Sequence, residues 1–163
     1  MADAELALLD RFYAAFDRRD GATMAACYAP DARFADPVFP DLRGTEPGAM
    51  WRMLTASSSD LAVELVEREA TAQRGSARWI ARYTFPQTGR PVVNDVRSTF
   101  RFTGGLIEAQ QDEFDFPAWS RQALGVTGLL LGRTPMLRNR LRHTARTRLD
   151  RYLAEQPSPR HTS

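Results

Sequence analysis

Two aspartates stand where this sequence could do proton chemistry. Asp36 closes a short alternating run, Ala32-Arg33-Phe34-Ala35, and is followed by Pro37-Val38-Phe39-Pro40. Proline has no N–H and favours extended geometry in the residue before it, so the strand is expected to end at Asp36. That leaves a carboxylate at a strand end, held by a stiff turn among apolar residues. Poor access to water disfavours the charged form and raises the pKa toward the range useful for proton transfer. The alternative is a turn aspartate that only bonds local amides. Asp112 lies in Leu106–Phe116, where alternation puts it on one face with Gln110, Phe114 and Phe116. A carboxylate between aromatic residues is costly unless it is paired, hydrogen-bonded or protonated.

Other chemistries find little footing. His143 stands in an arginine-rich stretch and His161 near the C-terminus, and no set of His, Cys, Asp and Glu has metal-ligand spacing. Neither Gly104-Gly105 nor Gly125–Gly132 has the form of a phosphate-binding loop. Cys27 is the sole cysteine, so no internal disulfide can form. No metal and no cofactor are expected. With no export-type leader pattern in Met-Ala-Asp-Ala-Glu, a cytoplasmic location is the expectation.

All 22 basic residues are arginine. Residues 1–116 carry 13 of them against 18 Asp and Glu, whereas residues 117–163 carry 9 against 2. Basic character is thus local, and no nucleic-acid partner is expected.

The elements that must position the aspartates follow from periodicity. Asp3–Arg19 repeats apolar residues at three- and four-residue spacing (Leu6, Leu9, Tyr13, Phe16, with Phe12 beside them), which predicts an amphipathic helix. A short helix is expected over Ala22–Tyr28, and a third after Thr45, read as N-cap, carrying Met50, Trp51, Met53 and Leu54. From Leu61 the period becomes two. Leu61–Ala72, Ser76–Phe85, Pro91–Thr103 and Leu106–Phe116 read as four strands joined by breaks short enough for antiparallel hairpins. In the second, Trp79, Ala81, Tyr83 and Phe85 share a face opposite Arg78 and Arg82. Helices followed by a meander make an α+β plan. Beyond it, Ala118–Leu124 reads as a helix and Gly128–Gly132 as an apolar loop. Thr134-Pro135 opens a last helix to about Glu155, and 157–163 is expected to be disordered. The last helix carries Leu137, Leu141, Ala145, Leu149 and Leu153 between arginines, which suits packing on the sheet or a second subunit with solvated Arg138, Arg142 and Arg146. Contact with anionic lipid is the less favoured reading.

Phe12–Pro37 carries a resemblance. Arg-Phe-Tyr-(x)3-Asp-(x)2-Asp, then Cys-Tyr-Ala-Pro-Asp-Ala, then Phe-Ala-Asp-Pro resembles the N-terminal half of ketosteroid isomerases and SnoaL-like cyclases, members of the nuclear transport factor 2-like superfamily. The resemblance implies a cone-shaped fold over 1–116, with three N-terminal helices on a curved, mostly antiparallel sheet, and a helical extension over 117–156. It places Asp36 where the isomerases keep their general base. Their oxyanion-hole tyrosine position holds Phe12 and their acid position Ser98, with Tyr13 turned about 100° away on the helix. Both donors of that known oxyanion hole are altered, so steroid isomerisation is not expected. Limonene-epoxide-hydrolase relatives share the scaffold, but the third long strand here, Pro91–Thr103, has no Arg-x-Asp on its inner face, so hydrolase chemistry of their type is not expected.

Register taken from the resemblance turns Trp79, Tyr83, Asn94, Ser98, Gln110, Asp112 and Phe114 into a blind cavity. Phe12, Phe16 and Trp51 would face it from the helices. Asp36 as base and Asp112 as acid or water-orienting group would move protons on a small hydrophobic, carbonyl- or epoxide-bearing molecule. The rivals are a non-catalytic binder of such a molecule, and an interaction module that forms a homodimer through the sheet.

Overall fold

The computed structural model describes residues 2–156, so the expected tail at 157–163 and His161 lie outside the described residues. Helix α1 (Asp3–Asp17) buries Leu9, Phe12, Tyr13 and Phe16 as its spacing predicts, while Leu8 is buried in place of the expected Leu6, which is half-buried near the helix start. Helix α2 (Gly21–Ala26) is capped by Asp20, whose carboxylate accepts from the Thr23 N–H. Strand β1 (Tyr28–Ala35) begins earlier than expected: Tyr28 starts the strand instead of ending a helix. Pro30 is tolerated because the β1 register shifts between Tyr28 and Arg33. A two-residue strand, β2 (Leu42–Arg43), was not anticipated. Helix α3 (Glu46–Ser57) starts where expected, but the Thr45 side chain makes no capping bond. Glu46 instead accepts from the Arg43 N–H.

The meander is β3 (Ala62–Ala70), β4 (Arg74–Phe85), β5 (Arg90–Thr103) and β6 (Leu106–Glu113). Sheet order is β2-β1-β6-β5-β4-β3, antiparallel except for the β1–β6 pair. This is the α+β plan, with a six-stranded curved sheet holding the N-terminal helices against one face.

Three C-terminal helices complete the structure. Phe116 opens α4 (Phe116–Leu124) instead of ending a strand. The stretch read as an apolar loop is a helix, α5 (Val126–Leu131). Its glycines made it look like a loop, yet packing requires them: a Cβ on Gly128 would lie 1.9 Å from the Ser120 carbonyl oxygen. Helix α6 (Pro135–Glu155) is capped by Thr134. It packs on α3 and along the cavity rim, with Arg142 Nε donating to the Pro37 carbonyl at 2.9 Å and Arg146 paired to Glu46.

Close approach of α2 to α3 also depends on glycine. A Cβ on Gly21 would stand 2.6 Å from Thr55 Oγ1 and 2.7 Å from Arg52 Cα. Gly21→Ala should therefore cost about 1–3 kcal/mol by overpacking. A lowered urea midpoint with unchanged slope would report it, and an unchanged midpoint would contradict this packing.

Candidate functional site

The cavity opens between α3, the β4–β5 hairpin, Asp36-Pro37-Val38-Phe39 and α6, and has a volume of about 210 Å³. That is below the ~300–1,000 Å³ of sites for drug-sized ligands, so it suits a small molecule. Phe16, Trp51 and Trp79 form one wall, with the Phe16 ring 4.8 Å from Trp51 and 5.1 Å from Trp79. Tyr83, Phe114 and Trp119 form another, and the carboxylates lie among these apolar surfaces.

Asp36 and Asp112 reach the same cavity because of register. In the parallel β1–β6 pair, Phe34 stands opposite Gln110 and Ala35 opposite Gln111. Asp36 therefore follows Phe34 on the inward face, level with Asp112, on strands whose spacing is about 4.8 Å. The exposed flanks Gln111 and Glu113 confirm the alternation.

Each carboxylate has one oxygen tied down. Asp36 Oδ1 accepts from the Val38 N–H at 2.7 Å and from Phe39 N–H, while the Asp36 N–H donates to the Phe39 carbonyl at 2.8 Å. The local amide bonding foreseen as an alternative is present, and Asp36 lines the cavity as well. Asp112 Oδ1 accepts from Ser98 Oγ at 2.5 Å and Gln110 Nε2 at 2.9 Å. Its other oxygen has no protein partner among the described residues. No fully buried polar side-chain atom is unsatisfied there, so Oδ2 must meet the cavity that Asp112 lines.

Behind Asp112 runs a closed hydrogen-bond network. Ser98 Oγ accepts from Trp79 Nε1 at 2.8 Å and Tyr13 Oη at 3.1 Å. Gln110 Oε1 accepts from Tyr28 Oη, which accepts from Trp51 Nε1 at 2.7 Å. Each tryptophan thus gives its N–H to the network and its ring to the cavity. Burial drives both aspartate pKa values upward. Asp36 is raised to about 6, with the Phe39 and Val38 amides and the Arg142 charge opposing. Asp112 is raised to about 7, against the Ser98 and Gln110 bonds and with a contribution from the neighbouring Asp36 charge.

Several expected residues take different places. Phe12 is fully buried in the core, where it packs on Tyr13, Tyr28 and Trp51 and does not line the cavity. Ser98 and Gln110 also stay off the lining and support Asp112 from behind. Tyr13, expected to face away, reaches Ser98 but not the cavity. Phe16, Trp51, Trp79, Tyr83, Asn94 and Phe114 all line it. Sequence reading missed the rim supplied by α6, namely Leu141, Thr144, Ala145 and Arg148. It also missed Trp119, whose Nε1 donates to Tyr83 Oη at 2.7 Å. The signal available was Trp119 itself, an aromatic N–H that needs a partner when buried.

With six strands, three N-terminal helices and a cavity inside the curve, the described residues have the nuclear transport factor 2-like fold. Similar folds occur in a protein of unknown function of that kind from Burkholderia pseudomallei K96243 (20% identity, TM-score 0.65, covering 76% of this chain and 99% of that one). Another is a ketosteroid isomerase-like protein from Catenulispora acidiphila DSM 44928, solved with trimethylamine (15% identity, TM-score 0.62, 71% and 91%). A third is an LEH-like epoxide hydrolase from M. tuberculosis (18%, TM-score 0.62, 82% and 95%). The chain belongs to the SnoaL-like domain family, whose sequence profile matches residues 9–110. No curated protein matches the sequence.

The raised Asp112 pKa has a measurable consequence for stability. The folded chain holds this proton more tightly than the unfolded chain, whose carboxyl stays near 3.8. Stability from this group is fully present below the unfolded pKa and is lost as pH rises, by about 4 kcal/mol between about pH 4 and about pH 8. Asp112→Asn keeps an acceptor for Ser98 and Gln110 but cannot titrate. Relative to the parent it should gain most of that amount over the same interval in paired urea melts. A pH-independent difference would contradict a buried, raised Asp112.

Proposed function

We propose that this protein is a cofactor-independent enzyme that moves a proton on a small, mostly apolar carbonyl compound. The observation that carries the reading is the pairing of two carboxyl groups in one apolar cavity, each with one oxygen held by protein donors. Asp36 is the base: two backbone amides hold its Oδ1 and, with the Arg142 charge, favour its ionised form against burial. Asp112 is the acid, protonated over part of the neutral range and able to donate from Oδ2. Two neighbouring carboxyls with separated roles are a recognised way to run acid and base chemistry near pH 7.

The substrate oxygen needs a donor. Tyr83 suits the task, because its hydroxyl accepts from Trp119 and its own hydrogen has no acceptor among the described residues. Burial raises the Tyr83 pKa, with the Asp36 charge adding to it against the Trp119 bond, and both groups line the same cavity. Asp36 would take a proton from the carbon next to the carbonyl while Asp112 or Tyr83 stabilises the developing oxyanion. Asn94 would orient the substrate. Relatives named as an epoxide hydrolase and as putative polyketide cyclases lend the scaffold a record of small-molecule chemistry.

A non-catalytic ligand binder is the second reading, favoured by the absence of both isomerase oxyanion donors from the cavity: Phe12 is in the core and Ser98 is behind Asp112.

Exchange in D2O separates the two. A panel of small cyclic and aryl ketones followed by proton NMR should include compounds whose α-hydrogens exchange in a protein-dependent way. For these, kcat/KM should rise with ionisation of Asp36 at about 6 and fall with ionisation of Asp112 at about 7. Asp36→Asn should cut the rate by ~10²–10⁴ while the fold persists. Ligand binding without exchange, unaffected by Asp36→Asn, would leave the binder.

A further inference from the structure

Helix α5 packs the wrong way round for a helix that only completes a core. Its inner side is glycine: Gly128 abuts Ser120, and a Cβ on Gly132 would lie 2.4 Å from Ser120 Oγ. Its outer side is apolar. Val126, Leu129 and Leu130 share a face at three- and four-residue spacing and are 71%, 63% and 72% exposed, with Met136 after the next turn at 68%. The glycine contacts prevent the helix from rolling to bury its leucines, so the exposure is built into the packing. A helix that served only the core would turn this face inward.

The surroundings of this apolar knuckle are cationic. Residues 117–149 contain seven arginines and no Asp or Glu. Arg121, Arg133 and Arg138 line a groove that also includes Gly128 and Leu129, so it adjoins the knuckle. None of the three has an acidic partner among the described residues. Arg138 is oriented over the Phe116 ring, 4.8 Å from its centroid. Asp115, which caps α4 by accepting from the Ala118 N–H at 3.0 Å, also lines that groove, so three arginines face one carboxylate there and the groove stays net cationic. Adjacent apolar and net cationic surfaces complement a molecule with an acyl region beneath a phosphate.

We propose that α5 and the start of α6 form a peripheral docking site for an anionic lipid bilayer. Val126, Leu129, Leu130 and Met136 enter the boundary between headgroups and acyl chains, and Arg121, Arg133 and Arg138 meet lipid phosphates. No helix among the described residues is long and apolar enough to cross a membrane, so the contact is interfacial. The surface is separate from the carboxylate cavity and does not depend on its chemistry.

Co-sedimentation of the full chain with vesicles tests this. Binding should be strong to phosphatidylcholine mixed with phosphatidylglycerol, weak to phosphatidylcholine alone, and reduced by salt. The Leu129→Glu, Leu130→Glu pair should lower partitioning by roughly 100-fold. Arg121→Gln, Arg133→Gln and Arg138→Gln together should cost a similar factor on anionic vesicles only. Leu129, Leu130, Arg121 and Arg133 are exposed, so circular dichroism melts of the leucine pair, and of Arg121→Gln with Arg133→Gln but without the half-buried Arg138, should match the parent and separate lost binding from lost folding. Equal partitioning of parent and variants would overturn the proposal. So would a self-association, seen by ultracentrifugation, that the leucine pair abolishes, because it would assign the face to a second copy. Binding of inorganic phosphate in the groove with no vesicle binding would overturn it as well.

Discussion

Holding the Asp112 carboxyl out of bulk water is the constraint that most of this structure serves. An ionised carboxylate in such a place is expensive, and a partly satisfied one is worse than an apolar residue. Ser98 stands directly opposite it across the β5–β6 ladder, and Gln110 precedes it by two residues on the same face. Ser98 is fixed in turn by α1 through Tyr13 and by β4 through Trp79. Gln110 is fixed by β1 through Tyr28, which α3 reaches through Trp51. Helices and strands far apart in sequence thus converge on one carboxyl oxygen.

The network leaves the opposite oxygen of Asp112 for the cavity and sets the tryptophan rings as its walls. Position follows from this arrangement as much as stability does, because a carboxyl gripped on one side has little rotational freedom. Asp36 reaches the same place by a local route: an extended strand, a proline that stops it, and a turn whose amides grip Oδ1. The parallel β1–β6 register brings the two routes together. Helix α6 adds the rim, anchored by Arg142 on the Pro37 carbonyl and by Arg146 on Glu46, beside the Asp36 turn.

Much of the meander was legible because alternation fixes which face a strand residue occupies. Trp79, Ala81 and Tyr83 against Arg78 and Arg82 marked the apolar face of β4; on β6 alternation grouped Asp112 with Gln110 and Phe114, and the family resemblance supplied which of its two faces turns inward. Alternation does not give depth. Ser98 and Gln110 are on the inward face yet lie behind the lining, because the side chains of Tyr13, Tyr28 and the tryptophans fill the space above them. Phe12 was misplaced for the same reason: a helix stripe shows that a residue is buried, not whether it meets a cavity or a neighbour. The Tyr28 strand start was hidden by Pro30, since the bulge that accommodates proline is a tertiary property. Helix α5 was hidden by glycines whose low helix propensity is overridden by contact with Ser120. The α6 rim was out of reach because a leucine stripe names no partner.

Site-resolved titration of the carboxyl carbons by 13C NMR tests the paired-carboxylate account most directly, with Asp36→Asn and Asp112→Asn assigning the two signals. The Asp36 midpoint is expected at about 6 and the Asp112 midpoint at about 7, with each moving when the other is replaced. Two midpoints near the ordinary aspartate value of about 3.9, each indifferent to its neighbour, would show two solvated carboxylates and contradict it.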